Sequence, residues 1–213
     1  LIIASRTKIY AYDLRRKTYR QWYDAQGARV RGLCPADSLS LLWLATGKGL
    51  VKLSASPSGL SYIYLPQSGN RFVNSIIADS SRNIWMSDGS NTIWRRTSSG
   101  SIQIFRLPGK NTICHSLSTD GERILAATAA GIYQFEDGRF SKIRLRGGAL
   151  NMNAQKALYD DQDKLWVLTL EAIRVFDVSN MTEIAGFIQN KADFWKINKI
   201  NDIANTIATA VEE

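Results

Sequence analysis

Apolar and polar residues alternate with period two along most of the chain, in short runs broken by clusters of Ser, Asn, Asp and Gly. Between residues 73 and 107 the runs are "VNSIIA" (73–78), "NIWMS" (83–87), "TIWRR" (92–96) and "SIQIFRL" (101–107). β-Branched and aromatic residues fill them, and turn-forming residues separate them, which is the signature of short strands joined by hairpins. No segment between them carries a helical stripe ten residues long. The pattern predicts an all-β chain.

The pattern also repeats. The segments "LIIASRTKIYAYD" (1–13), "LLWLATGKGLVKL" (41–53), "NIWMSDGSNTIWRR" (83–96), "RILAATAAGIYQF" (123–135) and "KLWVLTLEAIRVFD" (164–177) align on Ile2, Trp43, Trp85, Leu125 and Trp166, with spacings of 41, 42, 40 and 41 residues. A sixth copy begins at "TIATAVEE" (206–213), anchored on Ile207 another 41 residues on. Two further tracks share the period. A polar turn residue precedes the anchor by six positions at Asp37, Asp79, Thr119 and Asp160. An aromatic and aliphatic strand follows it at 17–23, 60–65, 101–107, 139–145 and 182–188. About 40 residues and four strands per unit is the arithmetic of a β-propeller blade. A β-helix needs shorter coils, and a helical solenoid needs a 3.6-residue period that is absent.

In such a blade the anchor sits on the second strand and fills the space against the neighbouring blade, where an indole buries about 150–250 Å². Leu125 and Ile2 offer less area, so weaker junctions are expected there. Trp94 has no tryptophan counterpart. The equivalent positions hold Tyr10, Val51, Tyr133 and Arg174, and the hairpin before it, "SDGSN", is one residue longer than its counterparts. Trp94 and that loop are therefore the candidates for something peculiar to this protein.

The runs "DSLSLLWLATGKGL" (37–50), "DSSRNIWMS" (79–87) and "DQDKLWVLT" (161–169, following Asp160) resemble the two-component regulator propeller repeat: an Asp, a Gly/Asn turn, Ile/Leu-Trp-Ile/Val-Gly/Ala-Thr, then Gly-Leu and an aromatic. The unit at Leu125 is degraded, and "LTLEAI" lacks the second Gly. The resemblance implies the periplasmic sensor region of a histidine kinase or hybrid two-component system of Bacteroides type, which detects carbohydrate breakdown products. Such sensors carry seven-bladed propellers followed by a small β-domain, a membrane helix and a kinase. Residues 1–213 are then a segment of a larger propeller, because Ile2 and Ile207 lie five periods apart and a closed five-bladed ring would duplicate a strand. The absence of an initiator Met and the immediate start on a strand fit the middle of a longer protein. Membrane attachment is expected only through parts outside this chain, and a homodimer in the full-length protein.

Composition narrows the chemistry. The 213 residues carry 27 Lys and Arg against 19 Asp and Glu, a formal charge of +8, but no basic run exceeds a pair such as Arg15-Arg16 or Arg95-Arg96. The excess reads as a solvated basic surface, with no nucleic-acid partner. Cys34 and Cys114 lack zinc or redox spacing. No apolar run nears the roughly 18 residues of a membrane helix, and no signal-peptide order opens the chain. The single histidine, His115 in "TICHSLS", falls on a predicted innermost strand and reads as structural or channel-lining. The pairs Glu136-Asp137 and Asp160-Asp161 fall at predicted turns, where acidic residues belong. No nucleotide cradle or nucleophile elbow occurs. The expectation is a non-enzyme without a cofactor or metal.

Propellers bind ligands at the loops leading into the innermost strands. Those loops here carry Arg29, Arg71, Lys110, Asn111, Arg146, Asn151, Asn153 and Trp195, a basic and amide-rich set suited to sugar hydroxyls or to uronate and sulfate oxygens, with Trp195 placed to stack on a sugar. The expected function is extracytoplasmic sensing of a carbohydrate or oligosaccharide, acidic ones included. The alternative is an interaction or dimerisation scaffold without a small ligand, and an enzymatic propeller, a lyase or glycosidase, ranks third.

Overall fold

The computed structural model describes residues 1–35, 41–56, 59–64, 72–109, 112–146 and 152–188. Its strands form five antiparallel sheets, and the described residues contain no helix. The first sheet has three strands, β1 (Ile2–Ala4), β2 (Lys8–Asp13) and β3 (Thr18–Asp24). Four four-stranded meanders follow. The second blade holds β4 (Val30–Pro35), β5 (Leu41–Thr46), β6 (Gly49–Ser56) and β7 (Gly59–Tyr64). The third holds β8 (Ser75–Ala78), β9 (Ile84–Ser87), β10 (Thr92–Arg96) and β11 (Ile102–Arg106). The fourth holds β12 (Cys114–Thr119), β13 (Ile124–Thr128), β14 (Gly131–Glu136) and β15 (Arg139–Lys142). The fifth holds β16 (Ala154–Tyr159), β17 (Lys164–Thr169), β18 (Ala172–Asp177) and β19 (Thr182–Ile188). This is the four-stranded blade that the period predicts, and the chain is a segment of a β-propeller. The sixth copy, 206–213, lies outside the described residues.

Neighbouring sheets stack face to face, and each of the four junctions encloses an apolar cluster. Side chains alternate between the two faces of a strand, so the anchor and the residue after it serve different junctions. Trp43, Trp85 and Leu125 join the clusters shared with the following blade. Leu44, Met86, Ala126 and Val167, one position on, join those shared with the preceding one. Trp85 is 1% exposed and lies among Phe105, Phe135 and Phe140, with ring centroids 5.5, 4.7 and 6.1 Å away, while the Arg95 guanidinium sits 5.2 Å over its ring. At the junction beyond Leu125, Met152, Tyr159, Leu165 and Phe176 occupy the space a tryptophan would take.

Trp94 belongs to this packing scheme. Its ring lies against the cluster of Trp43, Ile76 and Met86, on the side of the preceding blade, as Val51 and Tyr133 lie in theirs. What is peculiar to the third blade is the longer hairpin, not the tryptophan.

The turn residue six positions before the anchor has a physical role. Asp79 Oδ2 accepts the Trp85 indole N–H at 2.8 Å and Asn83 Nδ2 at 2.9 Å, while Oδ1 takes the Asn83 backbone N–H at 2.8 Å. Asp160 repeats this, taking Trp166 Nε1 at 2.6 Å and the backbone N–H groups of Gln162 and Lys164. The fourth blade has Leu125 as its anchor and no indole to satisfy, and its turn residue is Thr119, whose hydroxyl takes only the Gly121 N–H at 2.9 Å. Burial pushes the Asp160 carboxyl up, but the bonds from Trp166, Lys164 and Gln162 and the Lys164 charge outweigh it and hold the group below its usual value. The fifth blade's far face is open among the described residues: Trp166 is 36% exposed, Leu158 38% and Phe187 57%.

Candidate functional site

The inner strands β4, β8, β12 and β16 lie side by side and line a groove of about 700 Å³. Short polar side chains tie them together. Asn74 Nδ2 donates to Cys114 O at 3.3 Å and His115 O at 2.7 Å, Ser75 Oγ accepts Leu117 N–H at 3.0 Å, and Ser116 Oγ donates to Gln155 O at 2.9 Å. Ser118 Oγ donates in the same way to Ala157 O. These bonds run from one blade to the next, so the inner wall is a fixed surface.

In three blades a local irregularity leaves one inner-strand residue unpaired, and two of these residues, Arg31 and His115, line the groove. In β4, β12 and β16 the pairing with the second strand slips between Val30 and Gly32, between Cys114 and Ser116, and between Ala154 and Lys156. The residues left without a partner are Arg31, His115 and Gln155. Such a bulge re-aims a side chain that strict alternation would place on a sheet face. In the third blade Asn74 takes the same place, directly before β8, with its N–H on Ser87 O at 2.7 Å. Arg31, Asn74, His115 and Gln155 thus form a polar tier, with Gly32, Ser75, Ser116 and Lys156 as the next tier.

The tier is linked on one side. Asn153 Oδ1 accepts from Gln155 Nε2 at 3.0 Å and lies 3.0 Å from His115 Nε2. An amide oxygen is only an acceptor, so Nε2 carries the proton in this pairing and the neutral ring leaves Nδ1 as its acceptor. Arg31 is placed differently. Its guanidinium lies 4.0 Å over the Phe72 ring. Phe72 in turn sits against the hairpin after β9, where a Cβ on Gly89 would lie 3.1 Å from its ring, at a backbone φ of +75°. The extended "SDGSN" loop therefore props the ring that carries Arg31. Partial burial and the nearby Arg29 charge both lower the Arg31 pKa from its ordinary value.

Among the described residues Arg29, Arg31 and Lys156 line the groove, and no Asp or Glu does. None of the three cations forms an ion pair among the described residues. Of the residues expected from the loops, Arg29 lines the groove and Asn153 is linked to it through His115. Arg146 does not line it: its backbone bridges to Thr182 and bonds Met181 O at 2.7 Å, at the turn before β19. Arg71, Lys110, Asn111, Asn151 and Trp195 lie outside the described residues. The loop reading missed Arg31, Asn74 and Lys156. The spacing Arg29-x-Arg31 was available as a signal, but the bulge that aims Arg31 inward was not.

Candidate catalytic groups occupy structural positions. Asp160 is held by Trp166, and Asp137 forms the tight turn before β15 at φ +50°. Among the described residues no three His, Cys, Asp or Glu side chains gather as a metal site. Cys34 and Cys114 are free and buried, and burial pushes both thiols up to about 12. Only a thiolate reacts readily, so a disulfide reagent at pH 8 is expected to modify neither cysteine in the folded protein and both in urea. Fast labelling of either without denaturant would contradict the packing described.

The fold and its inner groove define a propeller whose polar wall is built from the inner strands. No family model and no curated protein sequence matches the chain. Solved structures do share the fold. Virginiamycin B lyase from Staphylococcus aureus is 17% identical, with a TM-score of 0.65 over 86% of this chain and 63% of its own. The extracellular domain of BT4673 from B. thetaiotaomicron, described as a one component system, is 18% identical with a TM-score of 0.63. That of BT3049 from the same organism, described as a hybrid two component system, is 16% identical with a TM-score of 0.66. This chain is covered to 82% in each of these two comparisons and spans 25% of each domain. The fold inferred from the repeat is thus that of the extracellular domains of a one component and a hybrid two component system, and it is equally that of a lyase. The chain spans less than two thirds of each of these proteins.

Proposed function

We propose that this chain is the propeller portion of an extracytoplasmic sensor in a two-component signalling protein, and that it binds a carbohydrate without transforming it. The observation that carries the reading is the inner groove, where donor groups on a cross-linked wall face open space and, among the described residues, no Asp or Glu lines it and no metal cluster gathers. The repeat motif and the fold of the BT4673 and BT3049 domains support the sensor role. Fold alone does not decide between binding and catalysis, so the lyase likeness leaves the choice to the residues. Signalling then requires the ligand to favour one arrangement of the sensor over another by differential affinity.

The test is thermal-shift screening of the propeller against neutral and acidic oligosaccharides, with product analysis of every stabilising compound. Stabilisation without turnover is expected. Turnover of any glycan removes the non-enzyme reading, and no stabilisation by any of them removes the carbohydrate.

A further inference from the structure

We propose that the inner groove is an anion site, in which Arg31, with Arg29 and Lys156, holds a carboxylate or sulfate group of an acidic saccharide. The inference rests on the binding reading above and adds to it the ligand's charge and the residues that read it. Three observations carry it. Among the described residues the groove is lined by these cations and by no Asp or Glu, and none of the three forms an ion pair. Arg31 is the bulged residue of β4, turned into the groove by the same irregularity that turns His115 in β12, and bulges of this kind accompany sites where a side chain must be aimed. The guanidinium also rests over the Phe72 ring at 4.0 Å, a cation–π contact that holds it in place and leaves its N–H groups to an oxyanion.

The neighbouring groups fit such a ligand. Asn74, Ser75 and Ser116 spend their side chains on the adjacent blade, so they shape the wall and do not compete for the anion. His115 lies in the same tier and is turned toward Asn153. Gly89 is a positioning residue. A side chain there is strained at φ +75° and pushes on Phe72, displacing the stack beneath Arg31 without touching the ligand.

The probes are oligogalacturonate, a sulfated heparin-derived oligosaccharide, methyl-esterified oligogalacturonate as the uncharged counterpart, and a panel of neutral oligosaccharides, each titrated calorimetrically into the whole chain. At least one charged probe is expected to bind tenfold or more tightly than the ester, and more weakly as salt rises. Its chemistry distinguishes carboxylate from sulfate. Arg31→Gln is expected to weaken it about tenfold, as the loss of a charge-assisted bond does, and Gly89→Ala severalfold, while Arg15→Gln, at an exposed turn away from the groove, leaves it unchanged. Folding of each variant is checked by its unfolding midpoint. If the ester binds as tightly as the acid, or a neutral probe binds while the charged ones do not, the sensor reading stands and the anion site falls. If no saccharide binds, both fall. If Arg15→Gln weakens binding as much as Arg31→Gln, the attraction is that of a basic surface and the groove assignment is overturned.

Discussion

Replacing Trp85 with alanine is expected to destabilise the protein by about 3–5 kcal/mol, the cost of removing a large aromatic side chain from a packed interior. The indole is 1% exposed and packs within 6.1 Å of three phenylalanine rings drawn from its own sheet and the next. Its loss opens a cavity at the junction between the third and fourth blades and strands the Arg95 guanidinium, which lies over Trp85, Phe105 and Phe135. Urea denaturation measures the effect. The informative comparison is Leu125→Ala, made at the same repeat position in the fourth blade, where the side chain is also 1% exposed but smaller. Removing it forfeits less buried area, so its cost is expected to be lower. Equal costs at the two sites would mean that the repeat position, and not the area buried there, sets the energetics.

How far the sequence speaks depends on which constraint is periodic. Packing between blades recurs every unit, so it left a readable trace: an anchor, a turn residue six positions earlier, and an outer strand. The turn-residue track even carried its chemistry, since Asp79 and Asp160 stand with tryptophan anchors and Thr119 with Leu125. The structure explains the association through one hydrogen bond to the indole. Trp94 misled because it was compared by residue type. Compared by face, it shares with Val51 and Tyr133 a contact with the preceding blade, and large or small partners across that junction adjust to it.

The groove was harder to read for two physical reasons. Arg31 and His115 stand on strands and not on the loops where binding groups were sought. They are also aimed by bulges, which insert one residue into a period-two pattern and leave no mark in composition. A strict alternation predicts the wrong face for Arg31 and His115. The extra residue in "SDGSN" was legible as an irregularity, but its consequence, a glycine that admits Phe72 beneath Arg31, depends on contacts between segments far apart in sequence.

Asp79→Ala is expected to cost about 2–3 kcal/mol, because the substitution leaves several donors without an acceptor at once. The Trp85 indole N–H, the Asn83 amide and the Asn83 backbone N–H all converge on this carboxylate. The indole is in the core, so no water replaces the lost oxygen at Nε1. Asp160→Ala removes the Trp166 indole bond and the Gln162 and Lys164 backbone bonds at the fifth blade, and a cost of about 1–3 kcal/mol is expected there as well. A double-mutant cycle isolates the bond itself. In a Trp85→Phe background the ring is kept and the N–H is gone, so Asp79→Ala should lose at least 1 kcal/mol of its effect, a coupling within the range measured for contacting residues. If the cost of Asp79→Ala is unchanged in that background, the carboxylate acts only on its own turn. The pairing of Asp with Trp along the repeat would then need another cause.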